Sequence, residues 1–170
     1  MKRRILFFAI FVILCGESHP ILADSFTGIV DRVIDGDTVV VERACPLACG
    51  SLQRVRLAEI DAPELAQDYG EESKRALAEL VLNKQVRIEY SEKDFFGRIV
   101  GRVYITRADS IEADVNAAMI AGGHAWWYKK YSDSKTLREL QETAKAGKVG
   151  LWEGQAVAPW GFRRKRGRGR

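Results

Sequence analysis

Residues 32–42 read RVIDGDTVVVE, two β-branched runs on either side of an Asp-Gly pair. Such a pair between apolar runs is among the strongest short signals for a hairpin, because glycine supplies the positive φ of a tight turn. On that reading Asp35 shapes the turn and Asp37 is left to solvent. Two carboxylates bracketing one glycine also begin an acidic site, and the rest of the chain decides between these two roles.

Working outward, the turn-bounded, Val- and Ile-rich segments predict strands over Phe26–Ile34, Thr38–Arg43 and Leu52–Ile60. GEESKRALAELVLN, residues 70–83, predicts a helix with Ala76, Leu77, Leu80 and Val81 on one face and Glu71 and Glu72 in its first turn. Strands follow over Gln85–Tyr90 and Ile99–Thr106, joined by SEKDFFGR. EADVNAAMIAGG predicts a short helix ended by Gly122. SDSKTLRELQETAKAGKVG predicts a last helix, capped by Ser132 or Ser134, with Leu137, Leu140 and Ala144 inward. Five short strands with a helix between the third and fourth match an OB-type Greek-key barrel. The expected class is α+β, mainly β, with about three helices.

The ends read differently. MKRRILFFAIFVILCGESHPILA, residues 1–23, has a basic start, the apolar run Ile5–Leu14 and a small residue at Ala23. That is the layout of a signal peptide, and the run is about half the ~20 residues a spanning helix needs. An exported chain cut near Ala23 is expected, periplasmic or secreted, with no membrane contact after cleavage. Cys45 and Cys49 are then the only cysteines left, and in an oxidising compartment the CPLAC loop is expected to close as a disulfide. No histidine or second cysteine pair lies nearby to make a zinc site. Residues 24–162 are expected to form one domain. RRKRGRGR, residues 163–170, packs six basic residues into a chain of formal net charge +4. It reads as a solvated tail, either inert or a nucleic-acid tether.

The chemistry-bearing residues cluster. In VRLAEIDAPE, residues 55–64, period-two alternation sets Arg56, Ala58 and Ile60 on one face and Leu57, Glu59 and Asp61 on the other, until Pro63 ends the strand. Each charged residue has an ordinary use: Arg56 in a surface pair, Asp61 and Glu64 as caps, Arg98 over a barrel end. Together they supply something else. Asp37 and Asp61 with a carbonyl and waters make a hard-oxygen site suited to calcium. Glu64 can activate water, and Arg56 and Arg98 can grip a phosphate. Those are the needs of phosphodiester hydrolysis, where charge builds on the phosphoryl oxygens. An EF-hand is excluded although Asp31, Asp35, Gly36 and Glu42 fall at its first, fifth, sixth and twelfth positions. Val33 stands at the third, and strands flank the loop where helices are required.

IDGDTV, VRLAEIDAPE, FGR and the closing GLWEGQAVAPWGFR occur in order, and over about Ser25–Arg163 the chain resembles the thermonuclease family of staphylococcal-type nucleases. The resemblance implies an OB-fold, calcium-dependent nuclease that cuts DNA and RNA to leave 3′-phosphate ends. It implies Asp37, Asp61 and the backbone carbonyl of Ala62 as calcium ligands. Glu64 falls on the general base, Arg56 and Arg98 on the two phosphate-binding arginines, and Asp35 on an acid near the metal that does not ligate it. Phe95–Phe96 departs from the family's lysine–tyrosine pair before Gly-Arg. Tyr128 and Tyr131 in AWWYKKY remain candidates for substrate contact. Phe96, Trp126 and Trp127 serve either to stack bases or to pack the barrel rim. His124 is expected to be structural. The partners implied are DNA and/or RNA, acted on by a monomer. The rival reading is a non-catalytic OB module that binds nucleic acid or protein. Such modules lose some of Asp37, Asp61, Glu64, Arg56 and Arg98, and all five stand here.

Intact mass of exported protein, before and after reduction and alkylation, checks the ends. The expected chain starts near Asp24 and takes up alkylating agent at Cys45 and Cys49 only after reduction.

Overall fold

The computed structural model describes residues 24–44, 50–106 and 110–168. The expected signal segment 1–23 and both cysteines of the expected Cys45–Cys49 bridge lie outside the described residues. The elements run β1 Asp24–Asp35, β2 Thr38–Arg43, β3 Ser51–Leu57, β4 Ile60–Asp61, α1 Gly70–Val81, β5 Gln85–Lys93, β6 Ile99–Thr106 and β7 Glu112–Asp114. After these come α2 Val115–Ala121, β8 Trp126–Trp127, α3 Lys135–Ala146, a 3₁₀ turn Gly150–Glu153 and α4 Pro159–Arg168.

The sheet runs β3-β2-β1-β5-β6 and closes on itself, because β6 also pairs in parallel with β3 through Val55, Arg56 and Leu57. This is the expected five-stranded barrel in an α+β, mainly β chain. β1 is twelve residues long and shifts register twice against β2, which lets one strand bend around the barrel and pair with both β2 and β5. Inside are Val30, Val39, Val41, Val55, Leu57, Val86, Ile88 and Val103, all essentially inaccessible. α1 closes one end with Leu77 and Val81, and α2 adds Met119 and Ile120. Ser134, not Ser132, caps α3, its side chain accepting the Leu137 N–H at 3.3 Å. Leu137 and Ala144 are buried there and Leu140 partly so.

Three local readings change. The β1–β2 loop is Gly36–Asp37, as expected, but Gly36 is not at positive φ. Its requirement is space: a Cβ there would sit 2.0 Å from Ser73 Oγ and 2.7 Å from the Ala62 Cβ, because α1 lies directly on the turn. The strand expected over Leu52–Ile60 stops at Leu57. Glu59 takes a left-handed φ of 65°, and the chain turns before resuming as β4, which pairs with β8. Face alternation therefore fails across Ala58–Glu59, and Asp61 ends on the same side as Arg56. Finally, a fourth helix appears: α4 carries part of the run read as a solvated tail, Arg163 included.

Gly36→Ala should destabilise the fold by about 1–3 kcal/mol, the cost of overpacking a tight contact. Guanidinium denaturation, followed by loss of tryptophan signal, checks it.

Candidate active site

One end of the barrel gathers the charged residues. Asp37 leaves the β1–β2 turn, whose shape Asp35 helps set by accepting the Asp37 N–H at 3.0 Å. The Asp37 carboxylate turns inward, only 7% exposed, and accepts from the Thr38 hydroxyl at 3.1 Å and the Ala62 N–H at 2.8 Å. Asp61, on β4, is fully buried. Arg56 lies between them, its Nη1 2.5 Å from Asp37 Oδ2 and its Nη2 2.9 Å from Asp61 Oδ1. Asp35 thus shapes the turn, and the turn delivers Asp37 to a buried ion pair and not to solvent.

Burial pushes Asp35 up to about 6, helped by the Asp37 charge beside it. Burial also raises Asp61, against the pull of Arg163 and Arg56. For Arg56 burial acts downward, but the charges of Asp37, Asp61 and Asp35 outweigh it and hold the guanidinium above its ordinary range. A buried cluster of this kind is stable only while its charges are paired.

Glu64 stands at the edge, about two-fifths exposed. Its backbone is fixed by Gln67, whose side-chain Oε1 accepts the Glu64 N–H at 2.9 Å and whose own N–H donates to the Glu64 carbonyl at 2.8 Å. Gly70 packs against the same carbonyl, 2.2 Å from where a Cβ would be, so the entry to α1 holds Glu64 in place.

Arg98, just before β6, faces the same cleft but pairs elsewhere. Its Nε donates to Asp94 Oδ2 at 2.7 Å, while Asp94 Oδ1 accepts the N–H groups of Phe96 and Arg98. Gly97 provides this turn with a φ of 75°. The structure therefore brings Asp37, Arg56, Asp61 and Glu64 together and holds Arg98 across from them. The cleft has a volume of about 960 Å³ and takes in all five.

Tyr128 and Tyr131 line it too. Glu59 anchors their loop: its carbonyl accepts the Tyr128 N–H at 2.9 Å, and its carboxylate pairs with Arg102 and with the Ser132 hydroxyl at 2.8 Å. Tyr131 is well exposed and meets Tyr128 edge-on at 4.8 Å. Trp126 is buried against Trp152 at 4.3 Å and Trp127 packs on the core, so both belong to packing. Phe95 and Phe96 stand out from the surface, 98% and 76% exposed, with Phe96 in the cleft lining. His124 shares a hydrogen bond with Tyr69 at 3.1 Å, outside that lining.

Two residues of this region escaped sequence reasoning. Asp94 was legible as the first residue of an Asp-x-x-Gly turn before Arg98. Arg163 reads as the first residue of the basic tail, although it also closes the GLWEGQAVAPWGFR motif. In the structure its Nη1 lies 2.7 Å from Glu64 Oε1 and its Nη2 2.7 Å from Asp61 Oδ2. Among the described residues no group of three or more His, Cys, Asp or Glu is set out as a ready metal cage. The carboxylates are instead neutralised by guanidinium.

Residues 54–154 match the family described as Staphylococcal nuclease homologue. An Escherichia coli protein named "Uncharacterized endonuclease" is 38% identical over 150 residues, 88% of this chain and 92% of its own length. The "Micrococcal nuclease" of Shigella flexneri is 36% identical over 154 residues, 86% of this chain and 85% of its own. An "Uncharacterized endonuclease" of Haemophilus influenzae is 36% identical over 137 residues, 80% of this chain and 72% of its own.

Arg56→Ala leaves Asp37 and Asp61 facing one another without their shared cation. The expected loss is about 3–5 kcal/mol, typical of breaking a buried pair from one side. Chemical denaturation of the variant in chelator checks it.

Proposed function

The chain belongs to the staphylococcal nuclease homologue family, and on that premise we propose that it is a calcium-dependent phosphodiesterase cutting DNA, RNA or both to leave 3′-phosphate ends. One observation supports this above the others. Arg56 joins Asp37 and Asp61 in a single buried unit with Glu64 at its rim, in a cleft that Arg98 also faces.

The donor set fits calcium by its chemistry. Asp37 and Asp61 offer hard carboxylate oxygens, and the Ala62 backbone runs beside Asp37. Calcium accepts such mixed shells of carboxylate, carbonyl and water oxygens, whereas magnesium demands a smaller, stricter octahedron. We assign Asp37, Asp61 and the Ala62 carbonyl to hold it. Bound there, it supplies fixed positive charge against the phosphoryl oxygens.

The chain's own groups do the rest. Glu64 takes a proton from water; the water oxygen bonds to phosphorus as the bond from phosphorus to the 5′-oxygen breaks. The 5′-oxygen leaves as a hydroxyl with a proton from solvent, and the phosphate stays on the 3′ side. Arg56 and Arg98 meet the negative charge that grows on the phosphoryl oxygens, which is where charge-assisted hydrogen bonds contribute most. Asp94 keeps Arg98 oriented. Asp35 sits beside the metal ligands and serves the Asp37 turn. Tyr128 and Tyr131 take the substrate's further phosphates, on a monomer that works after export. A binding module without catalysis would have no use for Glu64 and two arginines around paired aspartates.

Plasmid and RNA digestion by residues 24–170, in calcium, in magnesium and in chelator, tests the reading. Cleavage in calcium, little in magnesium and none in chelator is expected. Glu64→Gln should lower turnover ~10²–10⁴-fold while calcium titrations stay as for the unaltered chain. Full activity in excess chelator would overturn the proposal.

A further inference from the structure

We propose that Arg163 is a positioning residue of this same site: from α4 it clamps Glu64 to Asp61. The inference rests on the phosphodiesterase reading but on different residues. One planar guanidinium spans two carboxylates, with Nη1 at 2.7 Å from Glu64 Oε1 and 3.2 Å from Asp61 Oδ1, and Nη2 at 2.7 Å from Asp61 Oδ2. Lysine, a point charge without a fork, cannot copy that geometry. Glu64 is a long side chain at an exposed rim, with several rotamers open to it. Holding Oε1 fixes its direction and leaves Oε2 to face a water.

The helix that carries Arg163 is anchored. Trp160 lies three residues earlier, on the same face of α4, and stacks flat on Tyr128 at 5.5 Å with 6° between the rings. It also meets Trp126 at 6.2 Å. At the approach to the helix, Gln67 donates to the Val157 carbonyl at 3.0 Å. That is the same Gln67 whose Oε1 holds the Glu64 backbone. One glutamine therefore ties the proposed base and the entry to α4 together, and one tryptophan fixes the helix on a cleft tyrosine. Arg164, Lys165 and Arg166, next along the chain, are exposed.

The test compares the unaltered residues 24–170 with R163A, R163K and the triple variant R164Q/K165Q/R166Q. Each is assayed on a short and a long oligonucleotide at saturating calcium, titrated with calcium by calorimetry, and melted. R163A should lose kcat about 10–100-fold, as loss of a partner that orients a reacting group does. Its KM on the short substrate should hold within a few-fold. Calcium should bind it no more weakly, since both aspartates remain. R163K should recover part of kcat, and the triple variant all of it. If R163A does not fold, R163K carries the test: a lowered kcat at an unchanged melting temperature supports the clamp. R163A at the unaltered rate would make Arg163 a mere counter-charge and overturn the inference alone. So would R163A that binds calcium weakly and melts early, which would mean that the helix only props up the fold. An unaltered chain that cleaves nothing would overturn both this and the phosphodiesterase reading.

Discussion

A guanidinium held between two buried carboxylates is the constraint around which the rest of this end of the barrel is arranged. Arg56 comes from β3, Asp37 from the β1–β2 turn and Asp61 from β4, and none of the three would be stable in that place without the others. The arrangement needs β3 aligned on β6, which the parallel closure of the barrel provides. It needs the chain to reverse at Glu59, so that residues five apart face one another. And it needs Gly36, because the turn that carries Asp37 lies under α1 with no room for a Cβ. Fold and candidate site are therefore the same set of contacts seen from two sides.

Each arginine that lines the cleft is held by an acid of the chain itself: Arg56 by Asp37 and Asp61, Arg98 by Asp94, Arg102 by Glu59, and Arg163 by Asp61 and Glu64. A guanidinium already tethered by one edge loses less side-chain entropy when it takes an anion than one that swings freely in water. The tether also limits attraction at long range, since the paired charges partly cancel. Such a surface favours a well-placed phosphate over a loosely held polyanion.

Much of this was legible in the sequence. The β1–β2 hairpin, the amphipathic α1 and α3 and the order of the barrel strands follow from periodicity, which local sequence carries directly. Asp37, Arg56, Asp61 and Glu64 came forward because their chemistry is complementary and a family resemblance orders them. What escaped was set by distance. The break at Glu59 puts a non-glycine residue at positive φ, which no composition rule marks. The need for Gly36 lies in Ser73, far along the chain. α4 was hidden because its arginines and glycines resemble a solvated run, and its hold comes from Trp160 on Tyr128. Apart from its place at the end of the GLWEGQAVAPWGFR motif, nothing local distinguishes Arg163 from Arg164. Only the face of the helix does.

The span of chain between partners carries one more consequence. Glu64 and Arg163 are 99 positions apart, and Arg163 sits in the middle of α4. A ribosome delivers Asp37, Arg56, Asp61 and Glu64 well before it delivers α4, so the acidic cluster spends most of synthesis with one guanidinium instead of two. The assembled arrangement forms only after α4 has been made. For a chain proposed to act on nucleic acid, the second guanidinium therefore joins the acidic cluster last, when α4 follows the barrel.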